Sequence, residues 1–304
     1  MSPVSRAHWQ LHFCVLLWGF TAILGKLITL TALQLVWWRM LIVCIALLLL
    51  PKVWRELRAM PPRRIAAYAG IGVLVALHWL TFYSAVKLAN ASVAATCIAL
   101  APVFLSAIEP AVVGRRFEPR ELLLGAAVVP GVALVAGGVP ADMRIGVAVG
   151  VLSAVFCASF GAFNKRMADQ GGALTVTGIE LGAGTVFLTL VTVFWHGEGT
   201  FVLPDLHDTA LLLVLAIVCT LLPFALALAV LRKLSAYTVQ LTTNLEPVYA
   251  IILAVILLGE QHQLDAWFYA GVAIILGAVF VHPLLVRPLT KPPAAVLGTA
   301  ESKQ

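Results

Sequence analysis

Charged side chains are scarce in this chain: Asp, Glu, Lys and Arg make up 11% of 304 residues, against a hydrophobic fraction of 62%. Together with a mean hydropathy of +1.01, that shortage excludes a water-soluble globule, in which about a quarter of residues are charged. Long polar segments are missing too. The longest interruptions between apolar stretches, around Pro51 to Arg64 and His196 to His207, are too short for a folded domain outside a membrane. The five cysteines, Cys14, Cys44, Cys97, Cys157 and Cys219, sit singly in separate apolar stretches. Without neighbours at ligand spacing, they read as buried inert thiols and not as a zinc or disulfide framework. No HExxH, GxSxG or P-loop occurs, which removes the usual metal, acyl-transfer and ATP-driven machinery.

What remains is ten apolar stretches of about 20 residues, the length a helix needs to cross roughly 30 Å of hydrocarbon. They run approximately over 10–28, 32–50, 65–86, 91–113, 121–139, 145–164, 173–195, 208–231, 235–258 and 265–286. Inside lipid each backbone amide must be bonded within its own segment, so helices are expected throughout. Met1 to Gln10 lacks the basic, apolar, small-residue order of a cleaved leader, and the first stretch is read as a retained span. The distribution of positive charge then sets the topology. With the amino terminus inside, sixteen of the twenty Lys and Arg fall in inner segments, Lys87 and Arg144 fall outside, and Lys26 and Arg39 lie within or at the end of spans. That asymmetry places both termini in the cytoplasm of a cell (bacterial inner) membrane. The basic pI near 9.2 therefore reports topology, with anionic headgroups and not nucleic acid as partners.

Sliding the sequence on itself by 145 positions lays Ala91 on Ala236, Leu100 on Leu245, Pro102 on Pro247, Val103 on Val248, Phe104 on Tyr249 and Gly114 on Gly259. Each half holds five spans, an odd number, so the second half must lie upside down relative to the first. Flanking charge agrees: Gly114-Arg115-Arg116 ends span 4 on the inside, while Gly259-Glu260-Gln261 ends span 9 on the outside. Inverted repeats of this kind are built for secondary transport, since two equivalent bundles can rock about a midplane site.

These residues carry a family resemblance. Leu16-Leu17-Trp18-Gly19-Phe20 in span 1, Ala101-Pro102 in span 4, and Leu245-Glu246-Pro247-Val248 through Leu258-Gly259-Glu260 across span 9 resemble the EamA branch of the drug/metabolite transporter superfamily, over about residues 8 to 287. Where many first repeats of that branch have Gly-Glu-Arg, this chain has Gly114-Arg115-Arg116. The resemblance implies transport of a small metabolite, often outward, with helices 1, 3, 4, 6, 8 and 9 around a central cavity. The expected organisation is all-α: a first repeat over 8–140, an inverted second repeat over 144–287, and a disordered cytoplasmic tail over 288–304.

Polar residues inside the spans are the candidate site, because a charge at the bilayer centre costs roughly 2.5–3.5 kcal/mol on insertion scales. Glu246 is too deep to snorkel and is read either as a coupling group or as a neutral carboxyl bonded to a neighbouring helix such as span 4. Pro102 and Pro247 each delete a helical hydrogen bond in mid-span, which marks a cavity-lining bend or a packing kink. Arg39 either snorkels beside Trp37 and Trp38 or serves coupling or gating, and Glu180, too short to snorkel, is placed in a gate or structural network with an internal partner that the sequence does not name. His78, Trp79 and Tyr83, with Trp18, Phe160 and Asn164, suit an aromatic-walled pocket for an amphipathic solute, or else ordinary core. Gln240, Thr242, Thr243 and Asn244 are read as interhelical hydrogen-bonders. GxxxG at Gly178/Gly182 and Gly146/Gly150 serves tight packing or dimerisation, leaving a monomer or weak dimer. The loop with His196, Glu198, Asp205, His207 and Asp208 is read as solvated and acidic, not a metal site. The function expected is a secondary transporter, with no cofactor, moving a small organic metabolite or drug-like solute, an amino acid or related compound among the candidates. Export is favoured, with proton coupling through Glu246 as one mode. The alternatives are a polytopic membrane enzyme or a channel-like facilitator.

Overall fold

The computed structural model describes residues 3–114, 119–167, 170–195, 202–223, 226, 242–243 and 245–285, and every regular element among them is helical. Arg115, Arg116, His196, Glu198, Gln240, Asn244 and the tail from 286 onward lie outside the described residues. The helices are α1 (Pro3–Leu27), α2 (Ala32–Leu48), α3 (Pro51–Ala59), α4 (Pro62–Leu88), α5 (Ala91–Ile98), α6 (Ala101–Val113), α7 (Pro119–Gly137), α8 (Arg144–Met167), α9 (Ala173–Trp195), α10 (Leu206–Leu213), α11 (Glu246–Leu258) and α12 (Ala266–Leu285). Among the described residues, five stretches are long and apolar enough to cross a membrane: Ser5–Leu27, Pro62–Leu88, Ala91–Val113, Ala141–Met167 and Ala173–Phe194. The α2–α3 pair makes a sixth if counted as one span, bent by 89° at its junction. Val128–Gly137, Leu206–Leu221, Glu246–Leu258 and Ala266–Ala278 are apolar but shorter.

Two elements depart from the sequence reading. The interruption after Pro51 is a helix, not a plain loop: Pro51 occupies its first turn, where a fixed φ and a missing N–H are tolerated. α3 buries Val53 and exposes Lys52, Arg55 and Arg58, an amphipathic pattern that suits the end of a bundle and not its lipid-facing wall. The other departure is the π-helical segment Val214–Leu221 that continues α10. There Thr220 Oγ1 donates to Leu215 O at 2.7 Å.

The break between α5 and α6 has a cause that the sequence names. Pro102 has no N–H for the Ile98 carbonyl, and the chain turns instead through Leu100 N–H to Cys97 O at 3.0 Å. Pro247 stands in the same relation to Thr243. α6 runs Ala101–Val113 and is capped by Gly114 at φ 77°; α11 runs Glu246–Leu258 and is capped by Gly259 at φ 64°. Start, end and cap are each displaced by 145 positions. Both caps are left-handed, a conformation that glycine alone adopts without a steric penalty.

α4 forms the hub, packed against α8, α9 and α2, while α11 packs on α1 and α5 and α12 packs on α7. Small residues set these distances. A Cβ on Gly72 of α4 would lie 2.1 Å from the Glu180 carbonyl oxygen of α9, and one on Gly150 of α8 would lie 2.8 Å from Cys97 Cβ. Gly146 and Gly150 thus serve contacts within the chain. Gly178, by contrast, has room for a methyl, its nearest neighbour being Val53 at 3.8 Å.

Hydrogen bonds at the helix termini define two ends of the bundle. At one, the Glu260 carboxylate, 1% exposed, accepts the Ala91 and Ser92 amides at 2.9 and 2.8 Å, so the end of α11 caps the start of α5. Lys26 on α1 reaches Ala89 O and Lys87 on α4 reaches Ile28 O at that same end. At the other end, Lys165 near the close of α8 pairs with Glu109 of α6, and Tyr68 donates to Met167 O at 2.9 Å. Removing Glu260 leaves two amides of a buried helix start without their acceptor. Glu260→Ala is expected to destabilise the protein by about 2 kcal/mol, read as an earlier thermal transition when buried free thiols become reactive in detergent.

Candidate functional site

A cavity of about 360 Å³ lies among α1, α2, α4, α8, α9 and α11, lined by Trp18, Thr21, Arg39, Val75, His78, Trp79, Phe82, Ile98, Cys157, Phe160, Asn164, Thr177, Glu180, Leu181, Thr243 and Glu246. A second hollow of about 200 Å³ adjoins it through Ile98, Cys157, Phe160, Thr243 and Glu246, with Pro102 and Pro247 in its wall. The two bends therefore put Ile98 and Thr243, the residues a turn before each proline, on the cavity surface. A larger hollow, about 900 Å³, is a surface groove at the α2–α3 bend beside Trp54, Arg55 and Arg58, remote from these polar residues.

Arg39 is the cavity's fixed cation, and only 4% of it is exposed. The structure overturns the snorkelling alternative: the side chain turns inward, with its guanidinium 3.8 Å from the centroid of the Trp79 ring. Nη1 donates to the Tyr83 hydroxyl at 2.8 Å and Nε to Thr220 Oγ1 at 3.0 Å. Trp79 and Tyr83, four apart on α4, share the face that receives it. Thr220 comes from the π-helical segment, an irregularity that recurs at functional sites. Trp37 and Trp38, expected beside the arginine at the membrane surface, are engaged elsewhere: Trp37 donates to Thr189 and Trp38 to Val202 O, at 2.8 and 3.1 Å.

Three further polar groups face the same space. Glu246, in the first turn of α11, lies within the field of the Arg39 charge. His78 is buried and tied to α8, its Nδ1 lying 2.9 Å from Ser153 Oγ and 3.1 Å from Ser153 O, with its ring 5.4 Å from Phe160. Glu180 is 8% exposed; the Asn164 side chain stands near its carboxyl, and Oε1 is buried without a partner. Arg39 and Glu180 line one cavity, but no ion pair joins them among the described residues. Of the residues expected at the site, Trp18, His78, Trp79, Phe160 and Asn164 line the larger space, Pro102 and Pro247 line the adjoining one, and Tyr83 stands behind the wall holding Arg39. Thr220, Ser153, Thr21 and Thr177 join the site without having stood out in the sequence. Isolated hydroxyls in apolar spans are the signal that points to them, and that signal is weak.

The acidic loop departs from its reading as solvated at Asp208 alone among its described residues, since Asp205 and His207 are exposed. Asp208 is buried and accepts from the Thr29 amide at 2.9 Å, the Thr29 hydroxyl at 2.7 Å and the Leu30 amide at 3.2 Å. Asp205 caps α10 by accepting the Asp208 amide at 2.7 Å. The close approach of Asp205, His207 and Asp208 is thereby explained as a cap and a clamp on the α1–α2 connection.

Two stretches of the chain, residues 7–137 and 144–282, each match the EamA-like transporter family. The chain belongs to that family. EamA proteins form part of the drug/metabolite transporter superfamily, so this chain is a multi-pass membrane transporter, composed of two EamA repeats. No curated protein matches it. A solved structure described only as "Crystal structure of protein" is similar at 19% identity and a TM-score of 0.57, covering 93% of this chain and 99% of its own; at that identity the likeness speaks for the fold alone. For this EamA chain the arginine makes a sharp test. Removing the Arg39 guanidinium leaves an unfilled space against the Trp79 ring and takes the donor from the Tyr83 and Thr220 hydroxyls, each buried group left unsatisfied costing about 1–3 kcal/mol. Arg39→Gln is therefore expected to lower the thermal transition far more than Tyr83→Phe, which deletes one hydrogen bond worth about 1 kcal/mol; equal, small shifts would contradict the buried network.

Proposed function

We propose that the chain is a secondary transporter in which ten spans form two inverted five-helix bundles, with the cavity between them opening alternately to each side of the membrane. Support for the inversion comes from helix ends. α6 and α11 are counterparts at an offset of 145, yet α6 ends beside Lys165, whereas the end of α11 caps the start of α5. The single observation that carries the transport reading is the central cavity, aromatic-walled and holding Arg39, Glu180 and Glu246.

The cargo is a small organic solute, amphipathic because Trp18, Trp79, Phe82 and Phe160 provide apolar walls around a few polar anchors. Both termini lie on the cytoplasmic side of a bacterial inner membrane, in keeping with the distribution of Lys and Arg, and export from the cytoplasm is the direction the family resemblance favours. Glu246 is the coupling group: its carboxyl faces the cavity, within the field of Arg39, so a proton arriving or leaving changes the charge that the solute meets. Without an ATP site, the driving force is a solute or proton gradient.

A panel of toxic metabolites and drug-like compounds tests the reading in cells that overproduce the protein. Protection against one chemical class is expected, together with its loss in Glu246→Ala; no protection against any class, with the protein present in the membrane, would contradict transport. In proteoliposomes, flux should saturate and be stimulated by solute on the far side, whereas linear, fast conductance would indicate a channel. Glu246→Gln should transport with a flattened response across a pH series. An unchanged response would remove the coupling role.

A further inference from the structure

The charges facing the cavity do not balance. Among the described lining residues there are two carboxyls, Glu180 and Glu246, and one guanidinium, Arg39. The guanidinium is already engaged: Trp79 covers it and Tyr83 and Thr220 take two of its donors, and no ion pair within 4 Å joins it to either carboxyl. His78, with Nδ1 against Ser153, adds no fixed charge, since an imidazole of ordinary basicity is mostly neutral at pH 7. Glu180 is left over. It lies about 10 Å along α9 from the helix start, on the cavity wall near Asn164, with Oε1 buried and unpartnered.

A buried acceptor without a donor costs about 1–3 kcal/mol, and more when it is charged. Such a cost persists in a binding site when the ligand supplies the missing partner. A hydroxyl would supply a donor but no charge. A carboxylate would supply neither and would add repulsion. A protonated amine supplies both a donor and the one positive charge by which the cavity falls short. The rings around it add to the preference: Phe160 and Trp18 line the same space, and aromatic faces attract a cation that has shed its water.

We propose that Glu180 is the specificity-determining residue of the cavity and that the solute it selects carries a protonated amine on an apolar or aromatic body. This rests on the transport reading and adds to it the chemical class of the cargo. Glu246 keeps a separate position on the cavity wall, within the field of Arg39. The two acids thus have different tasks, one facing the solute and one facing the fixed cation.

The test is equilibrium binding to the full chain purified into nanodiscs of phosphatidylglycerol and phosphatidylcholine, so that no lipid brings a primary amine. The probes are phenethylamine, 2-phenylethanol and phenylacetate at pH 7, with binding read by quenching of cavity tryptophan fluorescence and by displacement of radiolabelled amine. The amine should bind roughly tenfold or more tightly than the alcohol, and the carboxylate weakest, because a site built around a polar partner rejects the analogue lacking it. Glu180→Gln should erase the gap between amine and alcohol while leaving the alcohol's affinity within about twofold; Asn164→Asp, which adds a carboxyl beside Glu180, should widen it. Alcohol or carboxylate binding as tightly as the amine to the unaltered protein overturns the proposal without needing a variant. So does a Glu180→Gln protein that folds and keeps the amine preference. Failure of the transport reading looks different: selective amine binding with no amine flux in proteoliposomes sinks transport and leaves the assignment of Glu180 standing, whereas saturable flux of the carboxylate in preference to the amine does the reverse.

Discussion

A positive charge carried into the low dielectric of the bilayer must be met by partners fixed in place, and Arg39 is where this structure satisfies that demand. Its partners come from separate parts of the chain: Trp79 and Tyr83 from α4, Thr220 from the π-helical segment, and the field of Glu246 from α11. Holding one guanidinium therefore draws together helices from both halves. The space left between them is the cavity, and its aromatic walls are in part the same residues that shelter the charge. Structure and candidate function are coupled at one side chain.

The two halves share a backbone device and differ in chemistry. α6 and α11 have the same length, the same proline just inside the start and the same left-handed glycine at the end. The residues after the two glycines diverge. Gly259 is succeeded by Glu260, which caps the start of α5 and closes one end of the bundle by backbone hydrogen bonds. A cap of this kind is strong while the helix start stays in reach and is lost once it moves away, which is the behaviour required of a closure that must also open.

Much of this can be read from residue order, and the gaps have physical reasons. Hydropathy places α9 to the residue and α8 to within three residues at its end, because a span must be apolar along its whole length. Prolines at an offset of 145 lead to the cavity wall because a missing N–H has consequences that do not depend on tertiary context. α3 escapes such a reading, since nine amphipathic residues between spans look like any polar interruption. The π-helical segment Val214–Leu221 leaves no trace in an evenly apolar sequence. Arg39 is open to a snorkelling reading because depth alone does not say which rings stand opposite, and Asp208 looks solvated because its partners, Thr29 and Leu30, lie about 180 positions away. Long-range partners of a polar group are what periodicity cannot supply; the orphaned oxygen of Glu180 belongs to the same class.

The central claim is that one cavity between two repeats is reached from both faces of the membrane. Cys157 lines both hollows and provides a native reporter once Cys14, Cys44, Cys97 and Cys219 are replaced by alanine. Labelling it with an impermeant maleimide in right-side-out and in inverted vesicles, with a permeant maleimide confirming that the thiol reacts, is the most direct measurement. The account predicts modification from each side, slowed in both by a bound solute. Modification from one side only, at all solute concentrations and under either gradient, would contradict it.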